Sequence, residues 1–210
     1  VSFYREGYKA ETLYPLINLN PSETLSGQDM DLELGTTYTL NLKEGWNLIS
    51  MPLVVDELTP LPVILYGLDG KYTRVDYWNA QTDVYEDYRV IPSVGHQNDF
   101  HFIAMHEGIW INMTEDASFV LSGVENNNAK NVHLYLGWNM VGYTFTSSES
   151  IASAITSNYD KINLIWRWNA NTDDYELFDP WGRFTNEFTT FNPGYGYWVY
   201  ADEEVTIGVQ

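Results

Sequence analysis

The sequence predicts a mainly β protein built from two tandem pseudo-repeats. Each is expected to be a mostly antiparallel β-sandwich or partly closed barrel with one short helix. Three observations predict this. Aromatic residues make up 16% of the 210 residues, and aromatics favour half-buried pleated surfaces. Apolar and polar residues alternate with period two in several short runs, the signature of strands with one wet face. Finally, three blocks recur in the same order. Gly45-Trp46-Asn47-Leu48 returns as Gly137-Trp138-Asn139-Met140, the Trp78–Tyr85 block as Trp168–Tyr175, and Gly108-Ile109-Trp110-Ile111 as Gly196-Tyr197-Trp198-Val199. Ordered self-similarity at a near-constant spacing marks a duplicated unit.

The elements follow in order. Tyr38, Leu40 and Leu42 alternate with polar neighbours, as do Val132, Leu134 and Leu136 in the second copy. Next, Trp46–Leu53 is apolar on both faces, which predicts a central strand covered on both sides. Thr59, Pro60 and Gly67 bracket a short helix, and Ser148 is expected to cap its counterpart. Two aromatic runs, Tyr72–Trp78 and Val84–Tyr88, flank Asn-Ala-Gln-Thr-Asp and predict a hairpin. Its partner spans Ile162–Trp168 and Tyr175–Phe178. Strands at Gly108–Met113 and Phe119–Leu121 complete a tally of about six per copy. The divisions are an N-terminal segment at 1–36, read as the tail of a preceding module or an added strand, repeat one at 37–127 and repeat two at 128–210.

Composition narrows the function. Lysine and arginine number 10 against 29 acidic residues, giving a net charge of −19. That argues against a nucleic-acid partner or an anionic membrane surface, because phosphates need a basic footprint. No run of 18 apolar residues offers a transmembrane helix. Absence of cysteine excludes disulfides and thiolate chemistry. A chain that opens on Val1 is expected to be a processed protein or an excised fragment.

Candidate chemistry is sparse. Asn169, Asn171, Asp173 and Asp174 offer the alternating oxygens that open a calcium loop, but Asp174 and Pro180 stand where an EF-hand wants Gly and Glu. The favoured reading is a turn held by its own side chains, with calcium as the alternative ligand and no other cofactor expected. His96, His101 and His106 are spaced five apart, a spacing that does not converge on one face. No nucleophile elbow, P-loop or HExxH motif is present, so no catalytic residues are assigned. Asn112-Met113-Thr114 is a glycosylation sequon with Asn112 as acceptor. Tryptophans retained in both copies read as core. Aromatics found in one copy only, Trp181, Phe184, Phe188, Phe191 and Tyr195, are the candidate binding residues, because exposed aromatics anchor interfaces.

The Gly-Trp-Asn-Leu-Ile-Ser-Met-Pro block (45–52), Gly-Ile-Trp-Ile (108–111) and Val-Leu-Ser-Gly (120–123) resemble a recurring β module. It occurs in tandem in secreted and cell-surface proteins of archaea and some bacteria, including S-layer-associated ones. The resemblance covers about residues 37–210. Copy two departs from it with Val-Gly-Tyr-Thr (141–144). It implies an extracellular or cell-surface, non-catalytic, structural or adhesive module whose partner is a cell-envelope protein or glycan. The alternative is a carbohydrate-binding module of a secreted enzyme.

Overall fold

The computed structural model of the chain describes residues 35–55, 59–91, 97–104, 106–126 and 130–209. The segment read as 1–36 lies almost wholly outside the described residues, as do His96 and most of the linker between copies. Repeat one runs through β1 (Thr36–Leu42), β2 (Gly45–Ile49), β3 (Leu53–Val54), α1 (Leu61–Ile64), β4 (Tyr72–Asn79), β5 (Val84–Arg89), β6 (Ile109–Met113) and β7 (Ala117–Glu125). Repeat two follows with β8 (Lys130–Leu134), β9 (Gly137–Gly142), β10 (Glu149–Ser150), α2 (Ile151–Ala154), β11 (Ile162–Asn169), β12 (Asp174–Phe178), β13 (Thr190–Phe191), β14 (Gly196–Ala201) and β15 (Val205–Val209).

The architecture is mainly β, and both repeats have one plan. Repeat one pairs β2-β6-β4-β5 in a four-stranded antiparallel sheet, and repeat two pairs the corresponding strands as β9-β14-β11-β12. A second, smaller sheet faces each: β1-β7-β3 in the first and β8-β15 in the second. Between the layers of repeat one lies a core that includes Leu40, Leu61, Val75, Ile111 and Phe119. That of repeat two includes Val132, Ile151, Ile165, Val199 and Ile207. Each short helix is tied to its repeat in the same way. The Leu61 N–H donates to His101 O at 2.8 Å, and the Ile151 N–H to Thr189 O at 3.0 Å.

Several expectations are corrected. The strand expected over Trp46–Leu53 stops at Ile49 and resumes briefly at Leu53. Nor is it central, since β2 and β9 are edge strands of their sheets. Two apolar faces arise because one looks into its own repeat's core and the other toward the other repeat, as shown below. Neither helix uses the predicted side-chain cap. Pro60 and Ser150 occupy the N-cap positions without a capping bond, while Ser148 Oγ instead donates to Asn192 Oδ1. One turn of helix is held by burial of Leu61 and Ile151 and by their backbone N–H bonds, not by a side-chain cap.

Candidate functional site

The Gly-Trp-Asn block organises each repeat's edge. Gly45 and Gly137 have φ of +88° and +96°, a region where a Cβ is strained. The next-but-one residue closes the loop behind them. Buried Asn47 accepts from the Lys43 N–H at 2.9 Å and donates to Lys43 O and Gly45 O at 2.7 and 3.1 Å. Asn139 repeats this with Tyr135 and Gly137 and adds a longer bond to Val199 O. Satisfying the amide fully is what allows a polar group to stay in an apolar strand. Trp46 and Trp138 stand between these glycines and asparagines.

The tryptophans retained in both copies meet each other across the repeats. Leu48, Trp110, Met140 and Trp198 form a third core, with Trp46, Trp78, Trp138, Trp166 and Trp168 packed against it. Its contacts are reciprocal. The Trp78 indole N–H donates to Trp138 O at 2.9 Å, and that of Trp168 to Trp46 O at 2.8 Å. Edge-to-face pairs also match: Trp78–Trp198 at 5.7 Å with Trp168–Trp110 at 5.4 Å, and Trp46–Trp110 with Trp138–Trp198, both at 6.1 Å. Backbone contacts follow the same symmetry, with single antiparallel bridges Ile49–Tyr195 and Glu107–Val141. Such a self-complementary surface is what a two-fold dimer has; here both halves lie in one chain. Close approach needs glycine. A Cβ on Gly196 would lie 2.8 Å from Ile49 O, and one on Gly108 2.9 Å from Val141 O.

The two flanks of this seam differ. On one, Gly194 packs directly on Leu40 and Tyr38, and the Tyr38 hydroxyl donates to Pro193 O at 3.3 Å. On the other, a cleft of about 290 Å³ stays open between the β4–β5 hairpin and β8–β9, lined by Tyr77, Trp78, Gln81, His106, Glu107 and Tyr135 among others. Burial pushes the Glu107 carboxyl up from its ordinary range, against bonds from the Ala104 N–H and the Tyr77 hydroxyl. Burial, then Glu107, raises Tyr77 as well.

The predicted site residues divide. Trp181, Phe184 and Tyr195 are 48%, 60% and 41% exposed. Phe188 and Phe191 are corrected: both are buried in the core of repeat two, Phe188 near Phe178 and Phe191 against Tyr143 and Tyr197. A signal for this was present. Counting back from Gly108 and Gly196 sets Phe100 on Phe188 and Ile103 on Phe191, and Ile103 is itself buried. The loop carrying Trp181 is built around Asp179, whose buried carboxylate accepts from the N–H groups of Trp181 and Phe184 and from Arg183. Trp181 is further pinned by its indole N–H to Ile162 O at 3.1 Å and lies 5.6 Å from the Tyr159 ring.

Asn169, Asn171, Asp173 and Asp174 form the β11–β12 turn. Asn169 Oδ1 accepts from the Asn171 N–H at 3.0 Å, Asp173 sits at φ +56° and donates its N–H to Asn169 O, and Asp174 Oδ1 accepts from the Tyr175 N–H. Asn79 and Asp83 do the same work in repeat one, where Asp83 has φ +59°. Turn chemistry therefore accounts for the recurrence of these residues. Among the described residues, no group of three His, Asp or Glu is placed to hold a metal ion. Asn112 lies within β6, paired between Trp46 and Arg74, and accepts from Thr73 Oγ1. No described helix is long and apolar enough to cross a membrane. A scan of family models, a search of curated proteins and a search of solved structures each give no match to this chain.

Proposed function

We propose that the chain is a non-catalytic structural or adhesive module of an extracellular, cell-surface protein, in which two repeats act as one rigid block. The observation that carries this reading is the reciprocal tryptophan seam. The aromatic residues that define the repeat are used on the repeats themselves, to fix one copy against the other. A block of this kind holds its variable loops at fixed separations, as a surface spacer or adhesin requires. Its partner is a cell-envelope protein or glycan, and the charge of −19 favours a neutral or cationic one.

A second reading, carbohydrate binding, is favoured by one observation. Trp181 is half exposed yet held in place by its indole bond and the Asp179 loop, so a ligand stacking on it meets a preorganised ring. The test is a binding screen of the purified protein on envelope fractions and on neutral polysaccharides. Saturable envelope binding unaffected by Trp181→Ala supports the first reading. Glycan binding lost in Trp181→Ala supports the second. Turnover of any substrate, abolished by one carboxylate substitution, overturns both.

A further inference from the structure

The open cleft and its sealed counterpart allow an internal comparison. Tyr77 pairs with Glu86 across β4–β5, as Arg167 pairs with Glu176 across β11–β12. One oxygen of each glutamate accepts from an asparagine at 2.8 Å, Asn79 in the first repeat and Asn169 in the second. The remaining oxygen of Glu176 is taken by Arg167 Nε. That guanidinium also lies over the Phe188 ring at 4.5 Å and the Tyr195 ring at 5.4 Å. Repeat two thus carries its own cation in an acidic, aromatic niche.

Repeat one keeps the niche without the guanidinium, with Tyr77 where repeat two has Arg167 and with His106 at the cleft wall. Phe100 takes the place of Phe188, with Tyr77 edge-on to it at 6.4 Å. Tyr195 is replaced by Glu107, which adds a second carboxylate. Among the described residues neither Glu86 nor Glu107 is in an ion pair within 4.0 Å; the neighbouring His106 favours the Glu107 carboxylate and Glu86 disfavours it. Tyr77, Trp78 and Tyr135 supply ring surface around the opening. A partly desolvated carboxylate beside aromatic rings is a setting in which a cation gains from both.

We propose that this cleft binds a ligand bearing a guanidinium or alkylammonium group, which bonds to Glu107 among the Tyr77, Trp78 and Tyr135 side chains and supplies the charge that Arg167 supplies in repeat two. The group belongs either to a free small cation or to a basic side chain of a partner protein. The site is separate from the Trp181 loop, so it stands or falls independently of the glycan reading.

The test uses the full chain, with calorimetry and the Trp78 indole NMR resonance as readouts. Three probes are titrated: agmatine, N-butylurea as its neutral counterpart, and an acetylated, amidated Gly-Gly-Arg-Gly-Gly peptide. Agmatine or the peptide is expected to bind and shift the Trp78 resonance, and the urea to bind at least about tenfold more weakly. Tighter binding of agmatine identifies a free cation as the ligand, and tighter binding of the peptide a partner's side chain. Glu107→Gln is expected to weaken binding about tenfold or more. Tyr77→Arg, which installs the second repeat's own cation, is expected to abolish it. Should Tyr77→Arg not fold, Glu107→Gln decides alone. Failure of both cations to bind, equal binding of the urea, or unchanged affinity in Glu107→Gln overturns the proposal.

Discussion

Removing Trp198 tests the seam where its contacts are densest. The side chain is 7% exposed, within 5.7 Å of Trp78, 6.1 Å of Trp138 and 6.2 Å of Tyr85 by ring centroid. Its counterpart Trp110 is 8% exposed, with Trp168 at 5.4 Å, Trp46 at 6.1 Å and Tyr175 at 6.3 Å. Truncating a buried tryptophan costs about 3–5 kcal/mol in lost burial and residual cavity, a sum that includes edge-to-face pairs of about 0.5–1.5 kcal/mol each. Because the environments match, Trp110→Ala and Trp198→Ala should cost the same within about 1 kcal/mol. Urea unfolding followed by far-ultraviolet circular dichroism measures both. Each repeat keeps its own core in these variants, so the single transition of the parent should split into two. Phe184→Ala, at an exposed position, serves as the control and should shift stability by no more than about 0.5 kcal/mol. A loss below about 1 kcal/mol in either tryptophan variant, or strongly unequal losses, refutes a symmetric load-sharing seam.

Other outcomes follow from the same geometry. Asn47→Ala leaves the Lys43 N–H and two carbonyls without their partner and should cost about 1–3 kcal/mol in the same assay. Glu107 has a raised folded pKa, chiefly from burial, so its ionisation opposes folding. Glu107→Gln should melt higher than the parent at pH 7–8, with the advantage vanishing below about pH 4, where the carboxyl is protonated folded and unfolded. Asp179 behaves oppositely: burial raises its pKa, but Arg183 and the backbone N–H groups more than offset this and leave it lowered. Its contribution is complete above about pH 4 and lost as pH falls through the folded value. Hydrogen-exchange protection of the Trp181 and Phe184 amides should therefore fall selectively as the Asp179 carboxylate is protonated, and protection that stays unchanged down to global acid unfolding would count against this.

Much of the fold was legible because local chemistry repeats. Asn79 and Asp83 and their counterparts Asn169 and Asp173 mark the hairpin, because they satisfy a turn and accept positive φ. Asn47 and Asn139 are polar residues in strands apolar on both faces, a pattern that fits a buried amide with its partners in place. The seam was not legible for the same reason that its tryptophans were noticed. A residue facing the other repeat and one facing its own core carry the same apolar signal, so Trp110 and Trp198 read simply as core. The same ambiguity makes β2 look like a central strand. Phe188 and Phe191 show no strand period, because β13 is two residues long, and only their alignment with Phe100 and Ile103 marks them as core. The cleft left no sequence signal, since Tyr135 closes over Tyr77 and Glu107 only when the repeats dock.

The two repeats are docked through their indoles. The Trp78 and Trp168 Nε1–H groups, bonded to Trp138 O and Trp46 O, report this directly by NMR hydrogen exchange. Both should be protected to a similar degree and should exchange through the same opening event. Rapid exchange of both, at rates expected of free indoles, would mean that the repeats are not docked through this seam.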